Sequence, residues 1–252
     1  MKATERHQLK RKDKLTETLQ DTMARLEAQR TRLVYGAIAL VLVLVVAGAY
    51  SWYRSQRTAD ASRLLAEALV VIEAPIAPPP PPPGVSAEPA QATPALSFPT
   101  EQARLEAALP KFLEAAEAYP NTSAGITARY HTAGVLAHLG RMDEARQQFQ
   151  RVMELDGRGL YGRMARLGVA DLNVREGNYD EAIATFRELS LDARGDLPVD
   201  AVLMQLGAAY RAAGKTAEAQ QTFQRLTTDF PDSPYSSAAQ QELDALKSSQ
   251  AS

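Results

Sequence analysis

The chain contains no cysteine, and it has a single tryptophan and only three histidines in 252 residues. Without a thiol it can form no disulfide, no thiolate metal site and no cysteine nucleophile, although a lack of cysteine is compatible with any compartment. The histidines are His7, His131 and His138. The last two lie seven residues apart, roughly two turns of one predicted helix, and no Asp or Glu completes a metal-binding set with them. There is no phosphate-binding loop, no G-x-S-x-G turn and no H-E-x-x-H helix. The formal net charge is −2, which gives no electrostatic case for nucleic acid. The acidic pairs Asp143-Glu144 and Asp180-Glu181 open predicted helices, where negative charge suits the helix dipole without any chemistry. These absences predict a protein that is not an enzyme and uses no cofactor or metal.

What the chain does have is a pattern. Gly140, Ala145 and Phe149 recur as Gly177, Ala182 and Phe186, and again as Gly214, Ala219 and Phe223, with each copy 37 residues after the last. A fixed period of this size marks stacked supersecondary units. Leu203, Leu206, Gly207 and Tyr210 follow a helical spacing before Gly214, so each Gly is expected to end a helix in the left-handed conformation. The helix that follows turns Ala219, Phe223 and Leu226 inward. A small Ala lets the two helices approach, and the large Phe fills the space beside it. Asp232 or Ser233 is expected to cap the next helix, with Pro234 in its first turn.

These residues resemble the tetratricopeptide repeat family, most clearly in the third copy, with Leu206, Gly207, Tyr210, Gly214, Ala219, Phe223, Leu226 and Pro231. Ala133 and Ala170 stand where the family often has Gly, and Leu136 and Asn173 where it often has Tyr. The family's usual period is 34. The three extra residues fall between one Phe and the next Gly, which implies longer helices or a longer connection between repeats. One further step back places Ala108 and Phe112 in register, with Pro120 at the repeat end. A fourth, N-terminal unit is therefore expected, with its second helix near 101–118. Pro110 within it predicts a bend or a late helix start.

Leu33 to Tyr50 is an uncharged, mostly aliphatic run of about 27 Å as a helix, close to one hydrocarbon core. Tyr35 flanks one end and Tyr50, Trp52 and Tyr53 the other, as in an aromatic belt. Nine Lys and Arg residues precede the run (Lys2 to Arg32), and only Arg54, Arg57 and Arg63 follow closely. This asymmetry predicts a cytoplasmic N-terminus and an outer C-terminal domain, periplasmic in a two-membrane cell. Ala47-Gly48-Ala49 resembles a cleavage site, but the preceding segment is too long for a signal peptide, so an uncleaved signal anchor is the better reading. In the basic segment Leu15, Leu19, Met23 and Leu26 form a narrow apolar stripe. It suits a partner helix or the membrane surface, or simply one side of a solvated helix.

Ten of the 15 prolines lie between Pro75 and Pro99, including an unbroken run from Pro78 to Pro83. Such a run favours polyproline II and supplies no backbone donors. Leu64, Leu65, Leu69 and Ile72 follow a helical spacing just before it. Two organisations fit. The proline segment interrupts the first repeat between its two helices, or it is a linker and 54–73 is a stalk. The first gives the expected layout: 1–32 a cytoplasmic basic segment, 33–53 the membrane helix, 54–73 the first helix of the N-terminal repeat, 74–100 the proline-rich insertion, 101–247 the repeat array and 248–252 a tail. The fold class is all-α: one transmembrane helix, then an α-solenoid of about 3.5–4 helix pairs with a C-terminal capping helix.

Stacked helix pairs form a concave surface lined by the first helix of each unit. The family's repeat positions place Tyr130, Leu167 and Met204 there, with Gly134, Asp171 and Ala208 as a second row. His138, Arg175 and Ala212 form a third, and Arg211 adjoins the last. Members that grip a C-terminal carboxylate carry Lys and Asn in these rows. This chain has neither, which implies a groove for apolar or extended partner segments. The same apolar residues could instead only pack between repeats.

The basic segment beginning ATERHQLKRKDKL, the single span and the outer array together resemble the YfgM-type ancillary subunits of the SecYEG translocon. The resemblance implies a chaperone-linking or holding role beside the translocon. Partners would be translocon subunits, periplasmic chaperones or secreted clients, reached from the inner membrane. A scaffold for envelope assembly or cell division is the alternative.

Overall fold

The computed structural model describes residues 3–77, 96–191 and 197–250, with side chains described from 34 to 248 within those ranges. The proline run from Pro78 to Pro83 and the side chains of Leu15, Leu19, Met23 and Leu26 lie outside the described residues. Among the described residues the regular elements are helices: α1 (Ala3–Ile72), α2 (Glu101–Ala118), α3 (Ser123–His138), α4 (Met142–Asp156), α5 (Leu160–Arg175), α6 (Tyr179–Ser190), α7 (Val199–Ala212), α8 (Thr216–Asp229) and α9 (Ser236–Gln250). One isolated parallel bridge joins Ile76 to Phe98.

Each of the three glycines ends a helix by the same device. Gly140, Gly177 and Gly214 have φ of 77°, 83° and 73°. In each turn the amide of the following residue reaches back to a carbonyl in the last turn of the helix: Arg141 N to Leu136 O at 2.9 Å, Asn178 N to Asn173 O at 2.8 Å, and Lys215 N to Tyr210 O at 2.9 Å. The glycine amides bond to Ala137 O, Val174 O and Arg211 O. This is the Schellman arrangement, which satisfies the last carbonyls of the helix and requires a left-handed residue at the glycine. The next helix begins two residues later. Its N-cap residues, Arg141, Asn178 and Lys215, make no side-chain cap bond. Acidic residues in its first turn (Asp143 and Glu144, Asp180 and Glu181, Glu218) face the positive end of the dipole. Asp180 also binds Lys215 of the next turn, with Oδ1 2.6 Å from Nζ.

The repeated Ala and Phe are core residues. Ala108, Ala145, Ala182 and Ala219 are fully buried, and so, within a few per cent, are Phe112, Phe149, Phe186 and Phe223. The rings press on the backbone of the first helices. A Cβ on Gly168 would come within 2.4 Å of Phe149 Cζ, and one on Gly207 within 2.5 Å of Phe223 Cε1. Both expected routes to the long period occur, one per interval. Between Phe149 and Gly177 the helices α4 and α5 are long and the connection is only 157–159. Between Phe186 and Gly214 the helices are shorter, and α7 starts only at Val199 after α6 ends at Ser190.

Residues 1–56 and 57–252 form two compact units. In the first, every described side chain from Val34 onward is exposed, and the helix from Val34 is long and apolar enough to cross a membrane by length and composition. In the second, the end of α1 joins the array's core: Ala68 and Val71 are buried in one cluster with Leu105, Ala108 and Phe112. Arg57 donates to Ala118 O at 3.1 Å and lies 5.4 Å from the Tyr119 ring centre. Ala77 N donates to Phe98 O and Phe98 N to Pro75 O, at 3.0 and 3.1 Å.

Of the two outcomes expected from Pro110, the late start does not occur: α2 runs from Glu101, capped by Thr100 Oγ1 accepting from Ala103 N, and passes through Pro110 to Ala118. Pro110 and Glu106, whose carbonyl loses its donor, are both exposed, so water can replace the missing bond. At the other end neither Asp232 nor Ser233 caps α9. The helix opens at Ser236, while Ser233 Oγ accepts from Tyr235 N and donates to Asp200 Oδ2 at 2.7 Å. Ser233 therefore ties the turn to α7. Ala239, Leu243 and Leu246 of α9 cover Phe223 and Leu226.

Candidate functional site

Among the first helices α3 contacts α5 and α5 contacts α7, so the three form one layer. The position of α5 is set by Asp156, whose Oδ2 accepts from Tyr161 N at 3.0 Å and Gly162 N at 3.3 Å. That carboxylate, from the end of α4, satisfies amides the start of α5 would otherwise leave unpaired. A cavity of about 440 Å³ opens on this layer. It brings together Tyr130, Leu167, His138, Asp171 and Arg175, with Gly134 of the second row.

Met204 and Arg211 stand elsewhere. Met204 packs against the cluster of Leu203, Phe223, Leu226 and Leu243. Arg211 Nη1 is held 2.6 Å from Glu242 Oε2 of α9. Sequence reasoning missed Leu160, Met164, Gly168, Leu197, Pro198 and Gln205, which complete the lining with Ala137 and Phe149. A signal existed for some of them: Gly168 and Gln205 follow His131 at the same 37-residue step, one position along from the row of Tyr130. Leu197 also follows Leu160 at the 37-residue step, although it stands in the connection before α7, and Pro198 carries no such mark.

Tyr130 both packs and lines. Its ring centre lies 5.8 Å from Phe149, 5.7 Å from Tyr161 and 5.7 Å from His131. Burial, and then the neighbouring Tyr161, push its phenol above the usual range, so it is neutral and acts as an aromatic wall. His131 stacks on Phe112 at 5.2 Å, and burial lowers its pKa. His138 is exposed, with Nδ1 2.8 Å from Gly134 O. A carbonyl only accepts, so Nδ1 carries the hydrogen there. Arg175 Nε donates to Asp171 Oδ2 at 2.9 Å, which neutralises both charges at the rim. Among the described residues no group of three or more His, Asp or Glu could hold a metal ion. The site is a mainly apolar hollow with a few polar groups at its edge, an arrangement suited to binding.

Helix pairs closed by a repeated Gly turn, with Ala and Phe between them and first helices in one layer, define an α-solenoid repeat protein. The chain belongs to the tetratricopeptide repeat-like domain family, whose family model matches residues 27–248. No curated protein matches it. Among solved structures it is similar to a single-substitution variant of the nearly identical TPR-like repeats of a putative kinesin light chain from Podosopora anserina. The TM-score is 0.50 at 15% identity, over 59% of this chain and 79% of that one. The same repeats without that substitution give a TM-score of 0.49 at 15% identity, over 59% and 80% of the two chains. A MamA structure, the RS-1 ArsTM double mutant, gives 0.43 at 19% identity, over 58% and 87%. At these identities the likeness concerns the fold.

Proposed function

We propose that the chain is a membrane-anchored, periplasm-facing protein–protein interaction module that assists secreted or envelope proteins at or near the Sec translocon, in a chaperone-linking or holding role. The observation that carries this reading is the hollow on the first-helix layer, where Tyr130, Leu167, His138, Asp171 and Arg175 converge. Its walls are apolar and its rim charges are paired, so it favours apolar stretches of a partner chain over charged ends. The apolar run from Leu33 to Tyr50 supports a single span of the inner membrane. The Lys and Arg excess before that run supports a cytoplasmic N-terminus and a periplasmic array. The mainly apolar lining supports binding as the work of the site.

In-cell photo-crosslinking from position 167, followed by mass spectrometry, tests the reading. Translocon subunits, periplasmic chaperones or secreted chains are the expected captures. Recovery of only cell-wall or division proteins would replace it with an envelope scaffold. Charge reversal of the N-terminal Lys and Arg should disturb the topology reported by a periplasmic reporter fused after residue 252. An unchanged report would argue against the assigned orientation.

A further inference from the structure

The first compact unit, residues 1–56, consists of one element, the N-terminal part of α1. A single helix has nothing of its own to cover an apolar stripe. Its sequence nevertheless carries one at a strict interval. Leucine recurs every seven residues, at Leu19, Leu26, Leu33 and Leu40. A second row at the same step, Thr16, Met23, Arg30, Ala37 and Leu44, stands three residues before each leucine and four after the last. Alternating steps of three and four are the a and d positions of a coiled coil, with leucine at d. Leu19, Met23 and Leu26 stand among polar residues and set the register, and Leu33 to Leu44 continue it into the apolar run. The interval itself selects the kind of partner. An ideal helix drifts about 20° per seven residues, so from Leu19 to Leu40 the row turns about 60° away from a flat surface. A second helix that coils with it follows the row.

The course of α1 decides whose helix that is. A stripe that lies on a membrane needs its helix in the plane of the surface. α1 is unbroken from Ala3 to Ile72 and enters the apolar run with no proline or glycine, the usual sites of a kink, before Gly36. Such a helix leaves the surface instead of lying on it. Two copies anchored by the same run stand the same way up, so they pair in parallel, the arrangement that leucine at d suits. The flanks permit it. Across a parallel pair position 15 meets 20, 22 meets 27 and 29 meets 34, which sets Leu15 beside Gln20, Thr22 beside Glu27 and Gln29 beside Val34. No like charges oppose there, and Lys14, Arg25 and Arg32 hold positions away from the seam. One charge falls within it, at Arg30. A pair leaves an a position open to solvent at its side, whereas three or four strands close around it. A lone Arg there therefore limits the assembly to two chains, at some cost in stability. Inside the apolar run Leu40 and Leu44 are 61% and 62% exposed on the single chain, and Ala37 is small enough for two backbones to approach.

We infer that α1 is the interface of a parallel two-stranded homodimer, with a seam from Thr16 to Leu44 that Arg30 restricts to two chains. The inference rests on the run from Leu33 being the span, and it goes beyond the array to the other end of the chain.

The chain has no cysteine, so single cysteines report the seam without background. In isolated membranes holding the full chain, mild oxidation should join Leu26→Cys into a covalent dimer about tenfold or more faster than Ala28→Cys, whose position lies away from the seam. A disulfide needs its two Cβ atoms about 4 Å apart. Cysteines placed singly along 16–33 should peak at 16, 19, 23, 26, 30 and 33. The purified full chain in detergent should have the mass of a dimer. Leu19→Asp together with Leu26→Asp should raise its dissociation constant about a hundredfold or more, without moving the Tm of the array, which is a separate unit. Arg30→Leu should admit trimers or tetramers. Equal oxidation rates at every position, a monomeric chain, or a dimer indifferent to the two aspartates would each overturn the inference. So would a trimer of the unaltered chain, and a strict dimer in Arg30→Leu would overturn the part assigned to Arg30. A seam that crosslinks in a chain released from membranes by alkaline carbonate would sink the span and leave the pairing standing. A firmly embedded chain that never crosslinks would sink the pairing and leave the anchor standing.

Discussion

Leu167 and Met204 occupy the same place in successive repeats, 37 residues apart, yet they have different neighbours. Leu167 packs against the cluster of Ala170, Ile183 and Leu206 and also lines the open hollow between α3, α5 and the connection before α7. Met204 packs with the residues that α9 covers. The rim differs as well: Arg175 stays with Asp171 of its own helix, whereas its equivalent is Ala212, and the adjoining Arg211 is tied to Glu242 of α9. Equivalent sequence positions in a solenoid thus share a backbone environment but not a role, because each unit is completed by its neighbours and the last unit is completed by a cap.

The comparison breaks hardest at the aromatic rings. Phe149→Ala and Phe223→Ala should each cost about 3–5 kcal/mol in urea unfolding, since both rings are buried. A much smaller loss at Phe149 would mean that its ring belongs to the hollow more than to the core. The next effect in size concerns the glycines beneath those rings. Gly168→Ala and Gly207→Ala should destabilise by about 1–3 kcal/mol although alanine is the better helix former, because each Cβ would lie inside van der Waals distance of a ring. A gain in stability at either position would show that the ring moves aside freely.

The sharpest contrast is smaller in energy. Met204→Ser and Leu167→Ser should each lower stability by about 1–2 kcal/mol, since both half-buried side chains pack against core clusters, but only Leu167→Ser should weaken partner crosslinking from position 164 in the hollow. Equal losses of crosslinking would erase the distinction between the two ends of the array. The smallest effect is the pH dependence from His131. Burial lowers its folded pKa, so as pH falls below about 6.5 the unfolded chain takes up the proton first and stability declines. Above that pH the contribution is constant. Chemical denaturation from pH 8 to pH 5 should show the decline, and His131→Phe, which retains a ring beside Phe112, should flatten it. An unaltered slope in that variant would assign the decline to other groups.

Much of the fold was legible because its determinants are local. A glycine after an apolar helical stripe can end the helix in only a few ways, and Gly140, Gly177 and Gly214 share one of them. A fixed spacing from that glycine leaves Ala and Phe no face but the inner one, which is why counting back from Ala145 and Phe149 located Ala108 and Phe112. The hollow was legible only in part. Rows at a 37-residue step name one stripe per helix, so they found Tyr130, Leu167, Asp171, His138 and Arg175. They passed over Met164, a turn away from Leu167, and Gly168, its neighbour. They also included Met204 and Arg211, whose surroundings depend on α9.

The sequence by itself determined the period, the turn chemistry, the residues between paired helices and an apolar run long enough to cross a membrane. Each of these depends on residues within about one repeat of one another, where spacing translates directly into geometry. Only the tertiary structure decided that Leu197 and Pro198 close one side of a hollow and that α9 takes Met204 and Arg211 out of it. Those outcomes depend on which surfaces from distant parts of the chain meet, and the repeat carries no record of such meetings.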